Sequence, residues 1–211
     1  MQQRTAERLT PLAGLVAVAI IVIAFAIGGD TPNAHDAAAK VQAFYAEHSS
    51  KQQTAAIILI FSAPFLVWFT CHLRDVLRRA GGTGRLANAA FAGGVIAASG
   101  FLLAAAVHYA VADAGDSAKS VGAVQTLSIL DNDMFFPFSG GLAIMVLSAG
   151  MAGLRHGGLP RWLAWAGVVI GIAFFTPAGF FAFLISGAWI IAASLVLFSA
   201  QGAPPTVEAA S

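Results

Sequence analysis

The sequence predicts an all-α fold, a polytopic membrane helix bundle of six transmembrane helices with two short amphipathic helices on its outer side. Three observations predict it. Of 211 residues, 58% are hydrophobic and only 10% are charged, against about 25% charged in an ordinary soluble domain. The charges gather in clusters separated by uncharged apolar runs, the pattern of a chain that crosses lipid repeatedly. Glycine is abundant, at 22 residues, as in helices that pack closely in lipid. Residues 1–211 read as a single membrane domain. A net charge of +1 gives no reason to expect nucleic acid as a partner. The single cysteine, Cys71, forbids an intrachain disulfide and reads as a buried thiol.

The first span is 9–29. Arg4 and Arg8 precede an uncharged run of 21 residues, Leu9 to Gly29. A signal-peptide core is about 7–15 residues, so a retained span fits better. Thr31-Pro32, or Asn33 with Asp36 three residues on, offers a helix start. Ala37, Val41, Phe44, Tyr45 and His48 then recur at helical spacing, which predicts a short amphipathic helix on the bundle or membrane surface.

The second span, 54–71, carries Pro64 at its middle and should kink there, with Ser62 placed to bond a freed carbonyl. Arg74, Arg78, Arg79 and Arg85 follow, against one acid, Asp75. The glycines between them match no phosphate-binding pattern. The segment reads as a basic loop beside anionic headgroups. The third span, 86–112, repeats small residues every four positions in two adjacent rows: Ala89, Gly93 and Ala97, and Ala90, Gly94 and Ala98. It is the expected packing hub.

Residues 113–133 form a second outer segment, where Asp116 or Ser117 could cap a short helix with Val121, Val124, Leu127 and Leu130 along one stripe. Asp131 and Asp133 close it. Phe135, Phe136 and Phe138 open the fourth span, 134–154, with Pro137 tolerated in its first turn. Arg155, His156 and Arg161 make another basic turn. From Trp162 to Val207 there is no charge in 46 residues. One helix of that length would measure about 69 Å, over twice the ~30 Å hydrocarbon core. Thr176-Pro177-Ala178-Gly179 is the strong turn signal inside it, giving spans 161–176 and 180–199. The first of these holds Gly167-x-x-x-Gly171, a close-packing motif. The tail, 200–211, is rich in alanine and proline and is expected to be disordered.

Six spans place both termini on one side. The positive-inside rule tests this, because the side on which positive charge falls was not used to place the spans. The cytoplasmic side receives Arg4, Arg8, Arg74, Arg78, Arg79, Arg85, Arg155 and Arg161. The outer side receives only Lys40, Lys51 and Lys119. The expected location is the plasma membrane, multi-pass, with cytoplasmic termini. Trp68, Trp162 and Trp165 fall towards the inner interface.

No Asp, Glu, Lys or Arg lies inside a span, which argues against a coupled transporter or pump. His72 and His108 fall at opposite membrane faces, so they do not ligate one haem. No Gly-x-Ser-x-Gly elbow is present. The outer side does collect His35, Asp36, His48, His108, Asp113, Asp131 and Asp133. Imidazole with carboxylate suits zinc or another divalent ion, and His48, His108, Asp131 and Asp133 are the candidate metal ligands. The plainer reading has His48 packing at the interface, His108 reaching headgroups, and Asp131 or Asp133 capping the fourth span.

Four short motifs occur together: Gly29-Asp-Thr-Pro32, Phe44-Tyr-Ala-Glu-His48, Phe135-Phe-Pro-Phe138 and Leu159-Pro-Arg-Trp-Leu163. On these the chain resembles the small, largely uncharacterised six-span integral membrane proteins of actinobacteria. The resemblance implies a bacterial plasma-membrane protein and supplies no activity or catalytic residue. The expected function is a non-enzymatic accessory, sensory or small-lipophile-binding bundle without an organic cofactor. Its partners would be the lipid bilayer and a membrane protein or a second copy of itself. A metal-dependent hydrolase or transferase at the outer face is the alternative, and a small transporter or channel is the second.

Overall fold

The computed structural model describes residues 9–33, 36–81, 84–117 and 120–200. Arg4, Arg8, His35, Lys119 and the tail from residue 201 lie outside them. The described residues form helices with no strand: α1 (Ala13–Gly28), entered through a 3-10 turn at Thr10–Leu12, then α2 (Ala38–Ile60), α3 (Ser62–Arg79), α4 (Arg85–Asp116), α5 (Val121–Asp133), α6 (Phe135–His156), α7 (Arg161–Ala173) and α8 (Gly179–Ala200). Five helical stretches are long and apolar enough to cross a membrane: Thr10–Gly28, Ala38–Arg79, Arg85–Asp116, Val121–His156 and Gly179–Ala200.

α4 is the hub, and its two small-residue rows face different neighbours. A methyl group on Gly93 would strike the backbone of Met145 and Gly141 on α6, and one on Gly100 the backbone of Phe138. One on Gly94 would strike Thr70 on α3. Gly141 returns the contact against Ala97. The α4–α6 seam is therefore closed at backbone-to-backbone distance. α1 packs on α2, α3 and α8, and α7 packs between α6 and α8.

α2 departs from expectation. No separate surface helix precedes the second span, because α2 runs unbroken from Ala38 to Ile60. No Gly or Pro interrupts residues 37–63, and the Lys, Gln and Glu residues in the polar stretch are good helix formers. The break comes at Phe61, whose N–H bonds Ile58 O at 3.1 Å, three residues before Pro64. Proline lacks the N–H that would bond the carbonyl one turn back. Ser62 Oγ donates to Leu59 O at 2.7 Å, as its place beside the kink suggested. Pro64 itself is exposed on the bundle's outside, so the kink shapes packing and lines no interior path. The α2–α3 rod spans 42 residues, about 63 Å. The first half of α2 must then project past a ~30 Å hydrocarbon layer.

That projection builds a second small core. Val41 and Tyr45 of α2 pack with Val111, Ala112 and Ala114 of α4 and Val124 of α5, with Phe44 and Leu127 at the rim. α5 is set off from α6 by the single residue Met134, so that Val121–His156 runs as one helical stretch; its cap is Ser120, whose Oγ accepts from Ala123 N at 3.3 Å. Its buried positions are Val124 and Ser128, while Val121 and Leu130 are exposed.

α7 is the other departure. It has 13 residues, about 20 Å, less than a hydrocarbon core. Pro177 cannot continue a helix, and the residue before a proline is turned away from helical backbone. Phe174 and Phe175 already lie in the turn. Gly167-x-x-x-Gly171 packs as its spacing suggested, Gly167 on Val146 and Gly150, Gly171 on Leu147.

Candidate functional site: a polar clasp at the acidic end of the bundle

The helices alternate, so Arg74, Arg78, Arg79, Arg85, Arg155 and Arg161 fall at one end. Asp30, Asp36, Glu47, Asp113, Asp116, Asp131 and Asp133 fall at the other, with Lys40 and Lys51. At the acidic end, where the spans meet the projecting head, a chain of hydrogen bonds ties four helices. Gln52 Nε2 donates to Gly28 O at 2.9 Å, joining α2 to the end of α1. Gln52 Oε1 meets His108 Nε2 at 2.9 Å, joining α2 to α4. His108 Nδ1 meets Asp131 Oδ2 at 2.7 Å, joining α4 to α5. Tyr45 sets its ring edge-on to the imidazole, centroids 6.4 Å apart.

Each member is placed by its helix. Gly29, at φ +68°, ends α1 and leaves the Gly28 carbonyl facing α2. Gln52 lies one heptad after Tyr45 and one before Leu59, on the same face of α2, and all three are buried. Gln52 is completely inaccessible, so water does not replace its partners. Asp131 stands in the last turn of α5, where a negative charge opposes the helix dipole. Its side chain is 15% exposed and that of His108 17%, so each is answered chiefly by the other.

The bonding pattern fixes the hydrogen on His108 Nε2. A backbone carbonyl only accepts, so the Gln52 amide must present its NH₂ to Gly28 and its oxygen to His108. His108 Nε2 therefore carries hydrogen. The bond from Nδ1 to the Asp131 carboxyl also needs a hydrogen. No ring lone pair is left to act as a general base.

The expected ligand quartet divides. His108 and Asp131 come together. His48 turns Nδ1 to Phe44 O at 3.0 Å on its own helix and stacks on the Phe44 ring, centroids 4.7 Å apart. Asp133 is exposed. Among the described residues no three His, Cys, Asp or Glu side chains form a group able to hold a metal ion. The capping role is also absent: α6 begins from Met134 with no side-chain cap. Asp36 pairs with Lys40 Nζ at 2.9 Å and accepts from Asn33 N at 3.0 Å, and these two bonds hold its carboxyl below the usual range, Lys40 contributing most.

No family model, curated protein or solved structure matches this chain.

Two members of the clasp, Gln52 and Tyr45, were not singled out as site residues by sequence. The signal that would have found Gln52 is the heptad Tyr45, Gln52, Leu59, which places an amide on a buried face. Beneath the clasp lies an aromatic layer. Phe101 stacks on Phe138 at 4.6 Å, Phe135 meets Phe138 at 5.4 Å, and Phe183 meets Phe138 at 5.4 Å and Phe25 at 6.1 Å.

Proposed function

We propose that this chain is a six-crossing plasma-membrane protein with both termini cytoplasmic. It works as a non-enzymatic sensory or accessory bundle, with its outer helical head clamped to the spans through Gln52, His108 and Asp131. The observation that carries the non-enzymatic reading is the state of His108. Both ring nitrogens are engaged in hydrogen bonds, so the imidazole is a tie between helices and offers no lone pair to a substrate or water. A pore reading is disfavoured by the α4–α6 seam, where Gly93, Gly100 and Gly141 leave no room for a methyl group.

Two observations support six crossings and their direction. α6 and α8 both end beside the 158–160 link, so the chain between them goes out and returns. α8 alone is long enough to cross, and the short α7 with the turn at 174–178 makes the matching outward path. The described arginines gather at the end assigned to the cytoplasm, as the positive-inside rule requires.

The test combines head mobility with enzymology. His108→Phe in lipid nanodiscs should speed amide exchange across 121–133 while the α4–α6 seam stays protected. The purified wild type should show no labelling by serine- or metallohydrolase probes. Unchanged exchange in α5, or probe labelling abolished by His108→Phe, would overturn this reading.

A further inference from the structure

The opposite end of the bundle holds a cavity of about 380 Å³. Its walls are apolar: Val76 of α3, Leu159 and Pro160 of the α6–α7 link, and Val196 of α8. His72 and Arg79 supply its polar side. They lie seven residues apart on α3, two turns along one face. Arg79 is exposed and, among the described residues, makes no ion pair. Asp75 is the only acid among the described residues at this end, against six arginines. Trp162 and Trp165, in the first turns of α7 after Pro160, are 60% and 57% exposed, the habit of indoles at headgroup level. The N-terminus of α7 opens next to the cavity at Pro160, with no side-chain cap on its free N–H groups.

We propose that this cavity binds one anionic phospholipid. Its acyl chain would run against Val76, Leu159 and Val196, and its phosphodiester would sit on the Arg79 guanidinium. Apolar walls with a cation at the rim match an amphiphile better than a wholly soluble anion. Arginine's planar fork suits phosphate oxygens. The proposal rests on the membrane placement of the helices and not on the clasp, so either can fail alone.

The experiment uses the full chain in detergent and titrates dioctanoyl phosphatidylglycerol, dioctanoyl phosphatidylcholine and inorganic phosphate, with bound lipid read by native mass spectrometry. One cation near a lipid headgroup accounts for roughly a five-fold preference. Phosphatidylglycerol should therefore bind about five-fold more tightly than phosphatidylcholine, and Arg79→Gln should erase that preference. Arg78→Gln, one residue outside the cavity, should keep it. Val196→Trp, which fills the cavity, should weaken both lipids. Arg79→Gln remains decisive if the tryptophan variant fails to fold. Equal binding of the two lipids by wild type, or equal loss in Arg78→Gln and Arg79→Gln, overturns the proposal. Competition by inorganic phosphate at lipid-equivalent concentrations assigns the site to a free anion and overturns it as well.

Discussion

Replacing Gln52 with leucine tests the clasp at its most enclosed point. The volume is nearly conserved, so the change removes chemistry more than packing. Two bonds go: the 2.9 Å bond to Gly28 O and the 2.9 Å bond from His108 Nε2. Each buried group left without a partner costs about 1–3 kcal/mol. Interhelical bonds in membrane proteins average about 0.6 kcal/mol and reach about 1.7, because the reference state also finds partners. The complete burial of Gln52 favours the upper part of that range, so Gln52→Leu should cost about 2–3 kcal/mol. The assay is reversible unfolding in mixed micelles with a double-mutant cycle of Gln52→Leu and His108→Leu. The coupling energy should be about 1–2 kcal/mol. Gln52→Glu should rescue only part of the loss, because a carboxylate accepts from His108 but cannot donate to Gly28. Coupling within about 0.5 kcal/mol of zero, the ordinary error of additivity, would refute the reasoning.

Asp131→Asn should cost about 1.5–3 kcal/mol through loss of a charged hydrogen bond, while Asp133→Asn should stay within about 0.5 kcal/mol, measured by the same unfolding assay. Gly141→Ala places a methyl against Ala97 and should destabilise by about 1–3 kcal/mol. Gly140→Ala meets nothing within 4 Å and should be neutral or stabilising by up to about 1 kcal/mol. Asp36 has a folded-state affinity for protons lowered by Lys40 and the Asn33 N–H. Its contribution is therefore present above the ordinary carboxylate range and lost as pH falls through the lowered value. The wild-type advantage over Asp36→Asn should shrink on acidification, and an advantage that grows would reverse the sign.

Much of the bundle was legible because lipid imposes a simple pattern. The small-residue rows of α4, the Gly167 motif, the Pro64 kink and the assistance from Ser62 follow from spacing alone. Sequence also placed His108 and Asp131 at one end, and there they meet. The errors have physical causes. The polar stretch from Glu47 to Gln53 resembles a loop by composition, yet it lacks any residue that stops a helix, so α2 continues through it. α7 ends early because the turn begins before Pro177, where span length alone extends the helix. His48 was put on the buried stripe, but the helical angle turns it to the rim and leaves Tyr45 and Gln52 facing His108. The four candidate metal ligands were grouped by a shared membrane face, which does not fix where each side chain points, and of the four His108 and Asp131 meet.

The central claim is that both nitrogens of His108 are engaged, Nε2 as the donor to Gln52 Oε1. Nitrogen-15 NMR of histidine-labelled protein in nanodiscs, with His108 assigned by its His108→Gln variant, measures this directly. The account predicts a one-bond N–H coupling at Nε2 that persists in wild type and weakens in Gln52→Leu. A His108 Nε2 without hydrogen, its lone pair free at the acidic end of the bundle, would contradict it and return the imidazole to the list of possible bases and metal ligands.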